Sequence, residues 1–518
     1  MTGLLALLAL LLVRAPLPWL SVALIGVSLS LAIFIQPAWG LLLLALDIPF
    51  STVGETTLAG AAVGPTEALL ALTIAAWLAQ RLSSGRLVLP RPWRARADGR
   101  AWPLDAPVAP LLLPLLLFCG ALALSLLPAA SLRQAIPELL KWIETLLLYL
   151  VAVDLLTAAR APRRADGGPA PAPTVPVAYV GLVAALLLAG AMQAALGLYQ
   201  FITQSGPPAF QILGRFLRAF GTFRQPNPYA GYLGLILPLA LSLFWWAVGR
   251  LYSARRAPER RAAGRRPADL LLIAATAVVT GLLAAGAIAS WSRGAWLGIG
   301  AGAATVTALR GRRAFSLTLA AAGLIAVLLL ARGGFNSGAL GGRLAQIGEY
   351  MGGFDVTTVE VNDDNFAVVE RVAHWYAAQR MIAQAPWLGI GVGNYPVVYP
   401  QVALPRWQDP LGHAHNIYLN TWAEAGLPGL LTYGLLWLLA AWQALRQAHN
   451  RQLHPFVRAA ALGVLGAIVH LTIHNLFDNL LVQRLYLHMA LLLALLTPPR
   501  LVQAAGAQGS GAQGVGTV

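Results

Sequence analysis

Residues 269–331 read DLLLIAATAVVTGLLAAGAIASWSRGAWLGIGAGAATVTALRGRRAFSLTLAAAGLIAVLLLA. Two apolar runs, 269–290 and 294–309, meet at a tight turn around Arg293, and a third, 315–331, follows. Between the second and third runs, residues 310–314 carry three arginines. A membrane-spanning helix needs about 20 apolar residues. Short loops rich in Arg and Lys stay on the cytoplasmic side. The stretch therefore predicts spans that turn outside at 291–293 and inside at 310–314.

The rest of the 518-residue chain extends this pattern. It is 58% hydrophobic and 11% charged, with mean hydropathy +0.67. A soluble protein is nearer 25% charged, and a disordered one needs low hydrophobicity and high charge. A β-barrel would show alternating segments of about ten residues; here the runs are continuous, as in LLLLAL and LLLALL. The fold class is all-α, a polytopic integral membrane protein with about 12–14 transmembrane helices. Apolar segments fall at 17–35, 38–50, 66–81, 107–127, 137–158, 176–203, 228–249, 269–290, 294–309, 315–331, 416–445, 457–475 and 480–497. Residues 3–13 form a shorter run, read as a retained half-span and not a cleaved signal, because no basic start precedes it.

Net charge is +16, from 36 Arg plus Lys against 20 Asp plus Glu, and Lys141 is the one lysine. Such a balance in a soluble chain would point to nucleic acid. Here five connections, 81–106, 159–175, 250–268, 310–314 and 446–458, hold 22 of the 36. Each neighbouring pair encloses two apolar segments, so one side of the membrane accounts for them. Orientation absorbs most of the excess, and no nucleic-acid partner is expected. The connections 51–65, 128–136, 204–227, 291–293, 332–415 and 476–479 then face outside. The lone Cys119 lies in an apolar run, which leaves no internal disulfide. The divisions expected are 1–175, N-terminal helices; 176–331, central helices; 332–415, one long extracytoplasmic loop; 416–497, C-terminal helices; and 498–518, a disordered tail rich in Ala, Gly and Gln on the inner side.

The outer connections carry the charged residues that orientation does not explain. Arg293 is the one cation in its turn; it either snorkels to headgroups or binds an anion, for which a guanidinium fork suits diphosphate. Arg215 and Arg218 are a helical turn apart among Phe and Leu, predicting a short interfacial helix. Arg224 follows before Pro226-Asn227-Pro228. Residues 366–384 predict an amphipathic helix with Arg371, in which Glu370 and His374 share one face opposite Val368 and Trp375. Gly389–Gly393 lacks the Lys and Ser/Thr of a phosphate loop and reads as a turn. His413 and His415 are expected to point the same way in an extended loop, with Asn416 capping the next helix. Glu424 reads as a turn-stabilising group or a third acid–base group. His470 and His474 are spaced i, i+4, which would suit a metal, but only Asp478 stands near as a carboxylate, so no metal site is expected.

GTFRQPNPYAGYL, WSRGAWLGIG, RVAHWYAAQRMIAQAPWLGIGVGNY and HAHNIYLNTWAEAGLPGLL occur in that order. This order resembles the O-antigen ligase and polymerase superfamily of bacterial membrane glycosyltransferases, over roughly residues 176–497. The resemblance implies a GT-C-like fold in the cytoplasmic (inner) membrane with a site facing the periplasm. It implies transfer of a glycan from undecaprenyl diphosphate to a hydroxyl of a glycan, lipid or protein acceptor, without metal or other cofactor. Carried over, His415 (or His413) becomes the catalytic histidine. Arg293, Arg371 and one of Arg215 or Arg218 become diphosphate ligands, with Arg224, Asn416, Glu424 and His474 as possible accessories. The chemistry agrees: a strongly anionic leaving group needs several cations, and a neutral His can take a hydroxyl proton. No outer carboxylate pair marks a glycosidase or a covalent intermediate, so a single, inverting displacement is expected. Ligase, polymerase and protein glycosyltransferase remain open within the family. A transporter or flippase, the rival of another class, would place polar groups at span centres; here they gather at outer ends.

Overall fold

The computed structural model describes residues 17–58, 61–85, 108–157, 175–212, 214, 216–255, 266–331, 355–362 and 365–498. Arg215, the half-span at 3–13, the tail from 499 and most of the basic connections 81–106 and 159–175 lie outside the described residues.

Among the described residues the fold is all-α apart from two small hairpins, as the composition requires. In chain order the helices are α1 (Leu17–Ile35), α2 (Ala38–Asp47), α3 (Pro65–Ser83), α4 (Leu112–Leu124), α5 (Leu132–Thr157), α6 (Val177–Thr203), α7 (Pro226–Arg255) and α8 (Arg266–Ala289). Then come α9 (Arg293–Arg310), α10 (Arg312–Ala331), α11 (Phe366–Gln384), α12 (Tyr395–Val402), α13 (Ile417–His449), α14 (Pro455–His474) and α15 (Leu485–Ala494). The antiparallel hairpins are β1 (Thr56–Leu58) with β2 (Ala61–Val63), and β3 (Gln211–Ile212) with β4 (Phe216–Leu217). Helices dominate because a chain in lipid must satisfy its backbone polar groups internally.

Among the described residues, five helices are long and apolar enough to cross a membrane: Val177–Thr203, Pro226–Ser253, Pro267–Ala289, Ile417–His449 and Pro455–His474. Four shorter apolar helices accompany them among the same residues. Length and apolarity thus support a multi-pass protein. The 38–50 run breaks at Asp47 into a 3₁₀ turn, Ile48–Phe50.

The two ends of the bundle separate as the charge pattern predicts. At one end Arg250 pairs with Asp269 (3.0 Å), Arg310 donates to the Trp245 carbonyl (3.2 Å) and Arg458 to that of Ala448 (3.1 Å). At the other, described parts of the six connections expected outside meet one another. Thr52 Oγ1 donates to the Thr222 carbonyl (2.6 Å), and Phe216 stacks 5.8 Å from Trp291. Ser131 N–H reaches Asn394 Oδ1 (2.6 Å), and Arg371 reaches the Phe477 carbonyl (3.1 Å).

A glycine stripe sets how the central helices meet. Gly294, Gly298 and Gly302 repeat every four residues along α9 and face α14. A Cβ at Gly302 would strike the Gly466 carbonyl, and one at Gly298 would strike His470. Small residues let membrane helices approach closely. The stripe thereby brings His474, at the end of α14, beside Arg293, at the start of α9.

Candidate active site

An open cleft of about 590 Å³ lies at the end opposite the basic loops, and its walls include Arg218, Asn227, Arg293, Arg371, His474 and Asp478. Three of the arginines singled out in the sequence therefore converge. Successive ones are 75 and 78 residues apart along the chain, so only folding assembles them. Ser292, the residue before α9, and Asn227, in the first turn of α7, also line the cleft. Two helix N-termini thus add their positive dipole ends to three guanidinium groups, an arrangement suited to an anion.

Each arginine is held by local structure. Arg218 donates through Nε to the Ser290 carbonyl (2.7 Å) and through a terminal nitrogen to Asn227 Oδ1 (2.8 Å). It does not sit on the interfacial helix predicted from its spacing with Arg215. Pro207, Pro208 and the left-handed Gly214 (φ 67°) break any helix there, and Gln211–Ile212 pairs with Phe216–Leu217 as β3–β4. Below it, Gln193 and Gln200 of α6 clasp Thr222 and Gly221. Arg371 donates to the Phe477 carbonyl (3.1 Å) and to the Ala367 carbonyl one turn back (2.7 Å). Arg224 is paired with Glu55 (2.7 Å), with its side chain 68% exposed, and is not among the cleft-lining residues.

The histidines form the wall behind Asp478. His415 Nδ1 stands 3.4 Å from Asp478 Oδ1, and His413 Nε2 stands 4.0 Å from it. At 3.4 Å the His415 contact is an ion-pair distance and lacks hydrogen-bond alignment, so both His415 ring nitrogens are buried without an aligned partner. The His loop is a turn and not the extended segment expected. His415 is left-handed (φ 51°), its N–H donates to His413 Nδ1 (3.0 Å), and the two rings lie 4.4 Å apart. His415 does not itself line the arginine cleft; Asp478, which sequence reasoning treated only as a spare carboxylate, stands between them. Its signal was present in HNLFDN, where a lone acid follows a span end.

A polar lattice fixes this turn. Asn416 caps α13, accepting from the N–H groups of Tyr418 (3.0 Å) and Leu419 (3.1 Å), and donates to the Leu476 carbonyl (3.1 Å). Ala414 N–H donates to Asn420 Oδ1 (3.0 Å), and Asn420 donates to Glu424 Oε2 (3.0 Å). Glu424 also accepts from Tyr395 N–H (2.9 Å), so it is a positioning group rather than a free acid. The Gly389–Gly393 turn is a clamp, as its lack of phosphate-loop residues suggested. With left-handed φ at Gly389 and Gly391, it packs so tightly that added Cβ atoms would strike the Glu424 backbone and Ala129. His374 lies on the buried face of α11, stacked 4.7 Å from Tyr399, and Val368 is buried as well.

The electrostatics around Asp478 are asymmetric. Burial pushes its carboxyl up, but the adjacent His415, the His413 charge and Arg371 outweigh burial and hold it well below the usual carboxylate range. Burial, then the neighbouring His415, lowers His413 to about 4. Burial, with His415 and His413 nearby, lowers His374 to about 3. His413, His415 and Asp478 also place one potential ligand atom each within 4.8 Å of one another, a spacing that could hold a metal ion. The His470–His474 pair is not such a site: His470 is enclosed by Gly234 and Gly298, with Nε2 3.0 Å from the Gly231 carbonyl.

The fold defines a multi-pass membrane protein, with a cleft lined by three arginines at one end. Residues 278–434 match the family described as O-antigen ligase. Over this segment the match supports the likeness to the O-antigen ligase and polymerase superfamily, and with it a membrane glycan-transfer role in polysaccharide assembly. The match carries Arg293, Arg371, His413 and His415, and leaves Arg218 and Asp478 to either side. No curated protein matches the chain.

Proposed function

We propose that the chain is an O-antigen ligase-like glycosyltransferase of the cytoplasmic (inner) membrane, with its site facing the periplasm. It moves a glycan from undecaprenyl diphosphate to an acceptor hydroxyl, with inversion and without a metal. Polymerization or protein glycosylation would use the same steps. The observation that carries this reading is the convergence of Arg218, Arg293 and Arg371 on one cleft beside the Asp478–His415 pair.

The arginines and the α7 and α9 N-termini bind the diphosphate and balance the charge that grows as the glycosidic bond breaks. His415 takes the acceptor's proton. Asp478 orients His415 and stabilises the imidazolium that forms, while Asn416, Asn420 and Glu424 hold the loop. His474 packs beside the arginines in an accessory role, and Arg224 serves its ion pair with Glu55.

A second reading rests on the His413–His415–Asp478 spacing: a divalent cation held there would share the diphosphate charge with the arginines. The test is transfer from a synthetic prenyl-diphosphate glycan by purified protein in EDTA. Undiminished transfer is expected. Loss on chelation, restored by a divalent cation, overturns the metal-free reading in favour of the second.

A further inference from the structure

A second cavity, of about 520 Å³, lies between α4, α5, α13 and the segment leading into α15. Its walls include Glu138, Lys141, Trp142, Asn420, Glu424 and Asn479. We infer that this cavity holds a hydroxyl-rich pyranose ring, the one bearing the attacking hydroxyl. The inference rests on the glycosyltransferase reading above and names the acceptor side of the same site.

Position is the first argument. Asp478 lines the arginine cleft and Asn479 lines the second cavity. His415 touches Asp478, while Ile417 and Asn420, just beyond it, line the second cavity. The segments 415–420 and 478–479 are therefore a partition between two cavities, with the His–Asp pair inside it. A single displacement needs the nucleophile to arrive on the side away from the leaving group. A diphosphate on the arginine side and an acceptor on the other meet that need. The acceptor oxygen bonds to the anomeric carbon as that carbon's bond to the diphosphate oxygen breaks. The hydroxyl proton goes to His415, and the electron pair leaves on the prenyl diphosphate.

Composition is the second argument. Glu138 and Lys141 are paired across one helical turn, with side chains 38% and 34% exposed, so both remain reachable. An ammonium beside carboxylates offers donors and acceptors together, as vicinal hydroxyls require. Trp142 meets Phe118 edge-on at 4.5 Å and Tyr433 at 6.4 Å, which supplies apolar ring surface for the C–H face of a sugar. One cation against Glu138 and Glu424 disfavours a second polyanion, and the polar groups disfavour an acyl chain.

The test uses the full chain in nanodiscs and saturation-transfer NMR. The probes are methyl glycosides of a neutral hexose, a 2-acetamido hexose and a uronic acid, with farnesyl diphosphate in a separate arm. At least one glycoside is expected to bind. Lys141→Met and Glu138→Gln, at partly exposed positions, are each expected to weaken it about fivefold or more, with farnesyl diphosphate affinity unchanged within about twofold. Arg293→Lys should do the reverse. Three results overturn the inference: no glycoside binds although farnesyl diphosphate does; glycoside binding is lost in Arg293→Lys and kept in the Lys141 variant; or a farnesyl-diphosphate-linked hexose displaces the glycoside, which makes the occupant the donor's sugar. Loss of farnesyl diphosphate binding alone, with glycoside binding retained, sinks the donor reading and leaves this one standing.

Discussion

Both ends of the helical bundle carry arginine, and they use it differently. At the basic end Arg250, Arg310 and Arg458 are held one by one, by a carboxylate or a backbone carbonyl. At the opposite end Arg218, Arg293 and Arg371 reach one cleft from a hairpin, a span and an amphipathic helix. The backbone differs as well. All six non-glycine residues in the left-handed region among those described, Gln204, Trp291, Leu411, His415, Gln483 and Arg484, lie at the cleft end. Such residues cost of order 1 kcal/mol or more each and gather at functional sites. Residue type sets which side of the membrane a loop occupies; convergence and strained backbone mark where chemistry is placed.

The strongest way to break this contrast is His415→Ala. If His415 takes the acceptor proton, turnover falls by roughly 10²–10⁴, with diphosphate binding kept. Full activity in that variant together with loss in His413→Ala would move the base by two residues. Asp478→Asn should act through His415 and cost about 10- to 100-fold, the range for residues that orient a functional histidine. Its kcat–pH profile should shift while the donor KM stays put; a changed donor KM with an unmoved profile would make Asp478 a wall of the cleft and no more.

Acid should sharpen the contrast. His413 and His374 bind protons near pH 4 and 3 when folded, against an ordinary 6.5. The unfolded chain therefore gains these protons from about pH 6.5 downward while the folded chain does not. Stability is full above that pH and falls as pH drops toward 4. Asp478, also depressed, has the same sign at lower pH still. Melting in nanodiscs should be level from pH 7 to 8 and decline between 6.5 and 4, with a shallower decline in His413→Gln. A melting temperature that falls as pH rises from 6.5 would contradict the burial assigned to these histidines. The smallest effect on transfer belongs to the basic end: Arg250→Ala leaves buried Asp269 without its partner and should cost up to about 3 kcal/mol of stability, but should change transfer by less than about twofold. A loss comparable to that in Asp478→Asn would erase the distinction between the ends.

Much of this was legible in the sequence because its signals are local. Continuous apolar runs marked the helices, and helix α11 falls on the 366–384 expected. The Asn416 cap was readable for the same reason. The misses share another cause. Arg215 and Arg218 had helical spacing, but the turn at Gly214 and the pairing of Ile212 with Phe216 made a hairpin, so strand pairing overrode local pattern. The stacking of His374 on Tyr395 and Tyr399, some twenty residues on, left no local signal. Asp478 gained its place only when the glycine stripe of α9 drew the end of α14 toward the arginines. No local pattern shows which helices touch.

The central claim is that clustered guanidinium groups hold the diphosphate by themselves. The direct measurement is the affinity of farnesyl diphosphate, against farnesyl monophosphate, for the purified chain in EDTA, compared with Arg293→Lys and Arg371→Lys. An ammonium cannot copy a bidentate fork, so each substitution should weaken the diphosphate by about tenfold or more, and the monophosphate less. Diphosphate binding that requires a divalent cation, or that both substitutions leave unchanged, would contradict the account.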